Sequence, residues 1–280
     1  GLFHGLEITS NHNAVAGIQI IRFGKHGVYI HDAAQYNAVG GLGPYSTNVI
    51  SVNGWNGVLV TGTLATSNTV SSNFVGLNPR GEGAAFDTIT DWGNGRHGIS
   101  VWSGAFNQVS YNFVGGNTWS GITVDKAGGV QVQYNRIGLD VSLDPAPNAF
   151  YGVHNANGGV AIIAHNQIAH NLRRILIEKA SHPTIDSNTI YSNTAGLGPA
   201  SFGGGILVTD AGTLPMIWGN EILSNTARYE RDSGESLYRR SMYWFWKRMA
   251  PPASMDILNA PNRELCIVRR ERTGRCAGCA

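Results

Sequence analysis

Short alternations of apolar and polar residues, most of them led by a glycine, recur along the chain up to Asn225. The pattern G-h-x-h, with h apolar, begins at Gly5 (GLEI), Gly27 (GVYI), Gly57 (GVLV), Gly98 (GISV), Gly121 (GITV), Gly152 (GVHN, a degenerate copy) and Gly205 (GILV); at Arg174 (RILI) an arginine takes the glycine's place. Alternation with a period of two predicts short strands rather than helices. The eight starts lie 22, 30, 41, 23, 31, 22 and 31 residues apart, so a base repeat of about 22 residues carries insertions in its longer copies.

A second pattern, h-x-x-N-x-h-x-x-[N/D], accompanies the first. Its first Asn falls at Asn73, Asn112, Asn135, Asn166, Asn188 and Asn220, and Asn48 fits with Tyr45 in the first apolar slot. The second slot holds Asn53, Asn78, Asn117, Asp140, Asn171, Asn193 and Asn225. A coil of about 22 residues with three short strands is the unit of a parallel β-helix, in which equivalent residues of successive coils stack ~4.8 Å apart. The fold class expected is all-β: a right-handed, single-stranded parallel β-helix of about eight coils with a non-repeat C-terminal tail. The recurrent asparagines are expected to form two ladders lining the turns, each amide donating to one neighbour and accepting from the other. Asparagine also tolerates left-handed backbone, which would suit it to such turns.

The phrases VAGIQIIRFGKHGVYI, YNAVGG, TNVISVNGWNGVLV and NTIYSN resemble the right-handed β-helix repeats of bacterial extracellular and surface proteins in the pectate-lyase-like superfamily, over roughly Gly5 to Asn225. The resemblance implies the fold and a secreted or cell-surface location. It leaves activity open, because the superfamily includes lyases, polygalacturonases, alginate epimerases, phage tailspikes and non-catalytic adhesins.

Composition divides the chain in two. Up to Ala227 there are 9 Lys+Arg against 12 Asp+Glu; from Arg228 onward, 11 against 6. The last 53 residues hold all three cysteines (Cys266, Cys276, Cys279) but only three of the 37 glycines and two of the 25 asparagines. The expected domains are therefore 1–227, the β-helix, and 228–280, a basic, Cys-containing tail. The stretch ESLYRRSMYWFWKRM reads as a basic aromatic helix able to cap a solenoid end or lie on an anionic surface, and CAGC has the spacing of a metal or redox site. A shift of reading frame after ILSNTA accounts more simply for the changed composition and the repeat broken in mid-coil. No apolar run approaches the ~20 residues that span a bilayer. The start, GLFHGLEI, carries neither Met nor a signal-peptide pattern and reads as a fragment.

Residues between the inward positions of G-h-x-h form an outer face, where the superfamily's enzymes hold substrate. Successive copies give Glu7, Tyr29, Leu59, Ser100, Thr123, His154, Leu176 and Leu207 in one row, and Thr9, His31, Thr61, Trp102, Asp125, Ala156, Glu178 and Thr209 in the next. A third row, at the turn, holds Ser10, Asp32, Gly62, Ser103, Lys126, Asn157, Lys179 and Asp210. The candidate catalytic residues are Asp125 and Glu178, two coils apart at roughly 9 to 10 Å and near the upper separation of an inverting glycosidase pair, with His154 between them. For a β-elimination lyase, Lys126, Lys179 and His154 would supply the base and neutralise a sugar carboxylate. Aromatic faces for sugar rings are assigned to Trp92, Trp102, Trp119 and Tyr151, with His31 on the same face and Phe150 nearby. Three insertions, roughly 79–97, 141–151 and 194–204, are expected to wall the groove.

GRHGISVWSG around His97 resembles the G-H-G element of polygalacturonases, with Arg96 in place of its first glycine and without the accompanying paired aspartates or N-T-D. YGVHN, Tyr151 to Asn155, resembles the catalytic segment of alginate epimerases without its Asp-Pro-His. The nine histidines have no metal-ligand spacing, so no structural zinc and no resident cofactor are expected. Asp32, Asp125, Asp140, Asp144 and Asp210 leave calcium open as a loop ligand. The expected role is an extracellular or surface scaffold that contacts or adheres to carbohydrate, its partner a polysaccharide or cell-surface glycan and not nucleic acid. A polysaccharide lyase or glycoside hydrolase using the same face is the alternative.

Overall fold

A computed structural model describes residues 2–85, 88–195 and 204–230, and beyond them the backbone of strands Ser236–Met242, Met255–Asn259 and Leu265–Arg269. The chain winds into a right-handed parallel β-helix of eight coils, each adding one strand to each of three parallel sheets. The first sheet stacks Leu6–Ile8, Val28–Ile30, Val58–Thr61, Ile99–Trp102, Ile122–Asp125, Val153–Ala156, Ile175–Ile177 and Ile206–Val208. The second runs from Ala14–Val15 to Met216–Trp218, and the third from Gln19–Ile21 to Glu221–Glu230.

The register obeys the repeat. Val58 pairs with Ile99, Ile99 with Ile122 and Ile122 with Val153, so the apolar residues of G-h-x-h lie in columns, and all four are fully buried. Asn155 alone breaks the next inward column of Val60, Val101, Val124 and Ile177; it is fully buried and donates to Val124 O at 3.3 Å. The leading glycine is required by the turn it leaves. At Gly57 a Cβ would lie 2.7 Å from Gly98 O and 2.9 Å from the Asn94 amide nitrogen.

Asparagine ladders line the turns, as the pattern predicts. Nδ2 of Asn48 donates to Oδ1 of Asn73 at 2.9 Å, and the chain of donors continues through Asn112, Asn135, Asn166 and Asn188 to Asn220, every link between 2.8 and 3.0 Å. From Asn112 onward each acceptor oxygen also receives the backbone N–H of the Asn before it, as from Asn73 to Asn112 at 3.0 Å.

Three details depart from expectation. First, the second ladder runs Asn53, Asn94, Asn117, Asn148, Asn171, Asn193, Asn225, bypassing Asn78 and Asp140. Those two residues open insertions instead: Asn78 Oδ1 accepts Arg80 and Glu82 N–H, and Asp140 Oδ1 accepts Ser142 and Asp144 N–H. Second, a further ladder links Asn13, Asn37, Asn68 and Asn107, each just before a second-sheet strand. Third, the left-handed residue is the one preceding the ladder position, such as Ser72, Tyr111, Tyr134 and His165. The Asn amide ties that turn by donating to the carbonyl two residues back, as Asn112 does to Ser110 O at 3.1 Å.

The strand Glu221–Glu230 overruns the last coil and pairs antiparallel with Ser236–Met242, while Met255–Asn259 meets Val208 of the first sheet and pairs with Leu265–Arg269. The stretch ESLYRRSM, expected as the start of a helix, is largely strand; its continuation and CAGC lie outside the described residues.

Candidate functional site

The outer face of the first sheet forms the floor of an open cleft of about 860 Å³ across the middle coils. Its floor carries Ser100, Thr123 and His154 in one row and Trp102 and Asp125 in the next, the rows expected from the repeat. The turns that lead into the sheet form one wall, which includes Trp55, Arg96, His97 and Trp119. The insertions contribute only their returning ends, Arg96, His97 and Phe150. Upstream, two of them pack on each other beside the third sheet, where Val141 N–H donates to Gly81 O at 3.1 Å. The third falls mostly on 196–203, outside the described residues.

His154 and Glu178 form a dyad. Nε2 of His154 lies 3.1 Å from Oε1 of Glu178, and Lys179 Nζ is 3.4 Å from the same oxygen. The hydrogen bond from His154 is the main cause that holds the Glu178 carboxyl below its ordinary range. With the ionised carboxylate accepting, Nε2 carries the proton, so a neutral His154 presents Nδ1 as an acceptor. Glu178 therefore orients His154 and is already engaged, which sets it apart from Asp125. Asp125 Oδ2 accepts the Asn157 amide at 2.8 Å, whereas its Oδ1, closed off from solvent, accepts nothing from the protein. Lys126 and Lys179 are left-handed turn residues that directly follow Asp125 and Glu178, and neither lines the cleft.

His97 belongs to the wall. Its Nδ1 accepts Ser120 N–H at 3.2 Å, which puts the ring proton on Nε2. Burial is the first cause that pulls its pKa down to about 4, helped by the charges of His154 and Arg96. His97 is thus a neutral imidazole with Nε2–H as a donor. His26 repeats the arrangement two coils earlier, accepting Asn56 N–H at 3.2 Å and likewise lowered to about 4, with burial first.

The aromatic candidates divide. Trp102 (48 % exposed) and Trp119 (44 %) are both exposed, Trp119 with the Arg96 guanidinium over its ring at 5.4 Å. Trp92 does not: at 4 % exposure it is a core residue, because the insertion that carries it folds back so that its carbonyl accepts Val52 N–H. Tyr151 is half-buried, with Phe150 at 4.6 Å and His154 at 5.3 Å between ring centroids. His31 does not line the cleft; it is stacked on Tyr29 at 4.2 Å and bonded to Glu7 at 2.8 Å. The sequence reading missed Trp55 and Arg96. Their signal is the phrase N-x-x-x-G, which places residues 55, 96, 119 and 150 two after a ladder asparagine in successive coils. A second aromatic stack lies at another corner of the coils: Tyr111, Tyr134 and His165, with centroids 5.0 Å apart.

Among the described residues no three His, Cys, Asp or Glu side chains are grouped to hold a metal ion, and no helix is long and apolar enough to cross a membrane. Asp32, Asp125, Asp140, Asp144 and Asp210 are spread over several turns of the coil, with Asp140 and Asp144 in one loop.

Comparison with solved structures finds a likeness to the crystal structure of a point mutant of the periplasmic alginate epimerase AlgG, with a TM-score of 0.52 at 13% sequence identity over 79% of this chain. The chain spans 48% of that protein's length. The likeness establishes the parallel β-helix fold. Residues 193–277 match the model of a family described as PSD1, "Protein of unknown function (DUF1553)", a stretch that joins the last coil to the tail. No curated protein matches the sequence.

Proposed function

We propose that this chain is an extracellular or cell-surface β-helix that receives a polysaccharide strand along the outer face of its first sheet. The observation that carries the reading is the cleft itself: open, about 860 Å³, flanked by exposed Trp102 and Trp119 and floored by hydroxyl, imidazole and carboxylate groups. Sugar rings bury a flat apolar face and satisfy hydroxyls at their edges, and this mixture of groups suits both needs. The fold is shared with a periplasmic protein titled an alginate epimerase, which agrees with a glycan partner and an exported location.

Binding without turnover is the primary reading. A catalytic reading has one specific support, the Glu178-oriented His154 beside the unpartnered oxygen of Asp125. Because Glu178 is engaged by His154, these groups favour proton abstraction by His154 over an Asp125–Glu178 hydrolase pair. Lys126 and Lys179 would then neutralise a sugar carboxylate.

We also infer that residues 228–280 are translated in their proper frame. A shifted frame preserves no family's residue pattern, and the matching family model runs through nearly all of this segment.

Incubation with uronate-containing and neutral polysaccharides tests the primary reading, following retained binding, reducing ends and unsaturated products. Retained binding lost in Trp102→Ala, without product, is the expected outcome. Product abolished by His154→Ala or Asp125→Asn with binding intact would establish the catalytic reading, and no binding to any polysaccharide would refute both.

A further inference from the structure

Arg96 is a cation in the cleft wall that forms no ion pair among the described residues. Its N–H donates to Trp55 O at 3.1 Å and its carbonyl accepts Trp119 N–H at 3.0 Å, so Trp55, Arg96 and Trp119 occupy equivalent places in three consecutive coils. The guanidinium carbon lies 4.6 Å from the Trp55 ring centroid and 5.4 Å from that of Trp119. The column continues on both sides. Lys25 Nζ is 5.6 Å from the Trp55 ring, and the Arg173 guanidinium is 4.3 Å from the Phe150 ring.

None of Lys25, Arg96 and Arg173 takes part in the ion pairs found among the described residues. The carboxylate of the cleft floor, Asp125, is turned to Asn157, and Glu178, outside the lining, is turned to His154 and Lys179. A guanidinium held between two indoles has its faces engaged by the rings, while its in-plane N–H fork stays free for a planar, bidentate acceptor. The rings also fix the side chain in advance, so little rotamer entropy is lost when an anion docks. Neutral His97 and His26, on the same wall, add donors without competing charge.

We infer that Arg96, clamped by Trp55 and Trp119, is an anion-reading subsite of the cleft that takes a carboxylate or sulfate group borne by the saccharide strand, with Lys25 and Arg173 flanking it along the axis. The inference rests on the glycan-binding reading above and narrows it to acidic polymers.

Calorimetric titration with paired probes tests it: oligogalacturonate beside its carboxyl-reduced counterpart, and a sulfated galactan oligosaccharide beside its desulfated counterpart. At least one acidic probe should bind roughly tenfold or more tightly than its neutral partner, the scale of one charge-assisted hydrogen-bond set, and the pair that shows the larger ratio identifies the anion. Added salt should erode the acidic affinity alone. Arg96→Gln should collapse the ratio toward one, and Arg96→Lys, which keeps the charge but loses the fork, should restore only part of it. Thermal melts verify folding, and Lys25→Gln, lowering the ratio partially, serves if Arg96→Gln is unfolded. Equal binding of acidic and neutral probes, or a ratio that survives Arg96→Gln, overturns the inference while leaving glycan binding in place. Binding of no probe by the wild-type chain sinks both.

Discussion

His97 serves the stack and the cleft with one ring: Nδ1 accepts the next coil's backbone N–H, and Nε2–H remains for a ligand. Asn56, the equivalent residue one coil earlier, performs the same service by accepting His97 N–H with its amide oxygen at 3.2 Å. His26 and His97 are both held near 4, mainly by burial, against an ordinary 6.5. As pH falls through this window the unfolded chain binds protons before the folded one, so stability is complete above about 6.5 and is lost on acidification toward 4. Glu178, depressed by His154, adds a loss in the same direction at lower pH. The double variant His26→Asn, His97→Asn should therefore melt with a shallower pH dependence between 6.5 and 4, and at pH 7.5 should lose less stability than His97→Ala. An unchanged slope would refute the titration. At this scale the sequence was partly legible. The outward rows through Ser100, Thr123, His154 and Trp102, Asp125 stand as read, because strand alternation fixes them. The burial of Trp92 and the absence of His31 from the cleft lining were not legible, since they depend on how a loop folds back and on which residues the cleft crosses.

Each ladder behaves as an element in its own right, crossing the sequence at intervals of 22 to 41 residues. Its position was readable wherever coils are short, because Asn, the aliphatic residues and the leading Gly keep fixed spacing. Insertions break that spacing. Asn78 and Asp140 match the motif yet cap loops, and the ladder resumes at Asn94 and Asn148, four residues before the next glycine. Counting back from the glycine would have found both. The two roles differ in cost. Asn148→Ala removes a buried amide, leaves the buried Asn117 N–H without its acceptor and takes one hydrogen bond from each of Asn117 Nδ2, Asn171 Oδ1 and Val114 O, so it should destabilise by about 1 to 3 kcal/mol. Asp140→Ala removes a turn cap and should cost about 1 kcal/mol or less, with exchange quickened in the loop but not in the coils. Denaturant unfolding of the two variants checks the order, and a larger loss at Asp140 would contradict the ladder assignment.

Across the whole molecule, the solenoid buries its core by stacking coils, so its open end presents apolar surface and unpaired strand edges. Two antiparallel additions meet that end, Ser236–Met242 on the third sheet and Met255–Asn259 on the first. The change of composition at Arg228 was plain in the sequence; antiparallel strands there were not, because the tail lacks the repeat that made the coils readable. If the tail caps the solenoid, truncation after Glu230 should cause aggregation or fraying of the last coil in light scattering and melting. Unchanged melting of a monodisperse product would mark the tail as foreign to the coils. The central claim concerns the other exposed surface, the cleft, and hydrogen exchange with and without a bound uronic-acid oligosaccharide tests it most directly. Slowed exchange in Ile99–Trp102, Ile122–Asp125 and Val153–Ala156 and in the turns at residues 95–98 and 118–121 is the predicted result. Protection confined to the second or third sheet, such as beside the Tyr111, Tyr134 and His165 stack, would contradict it.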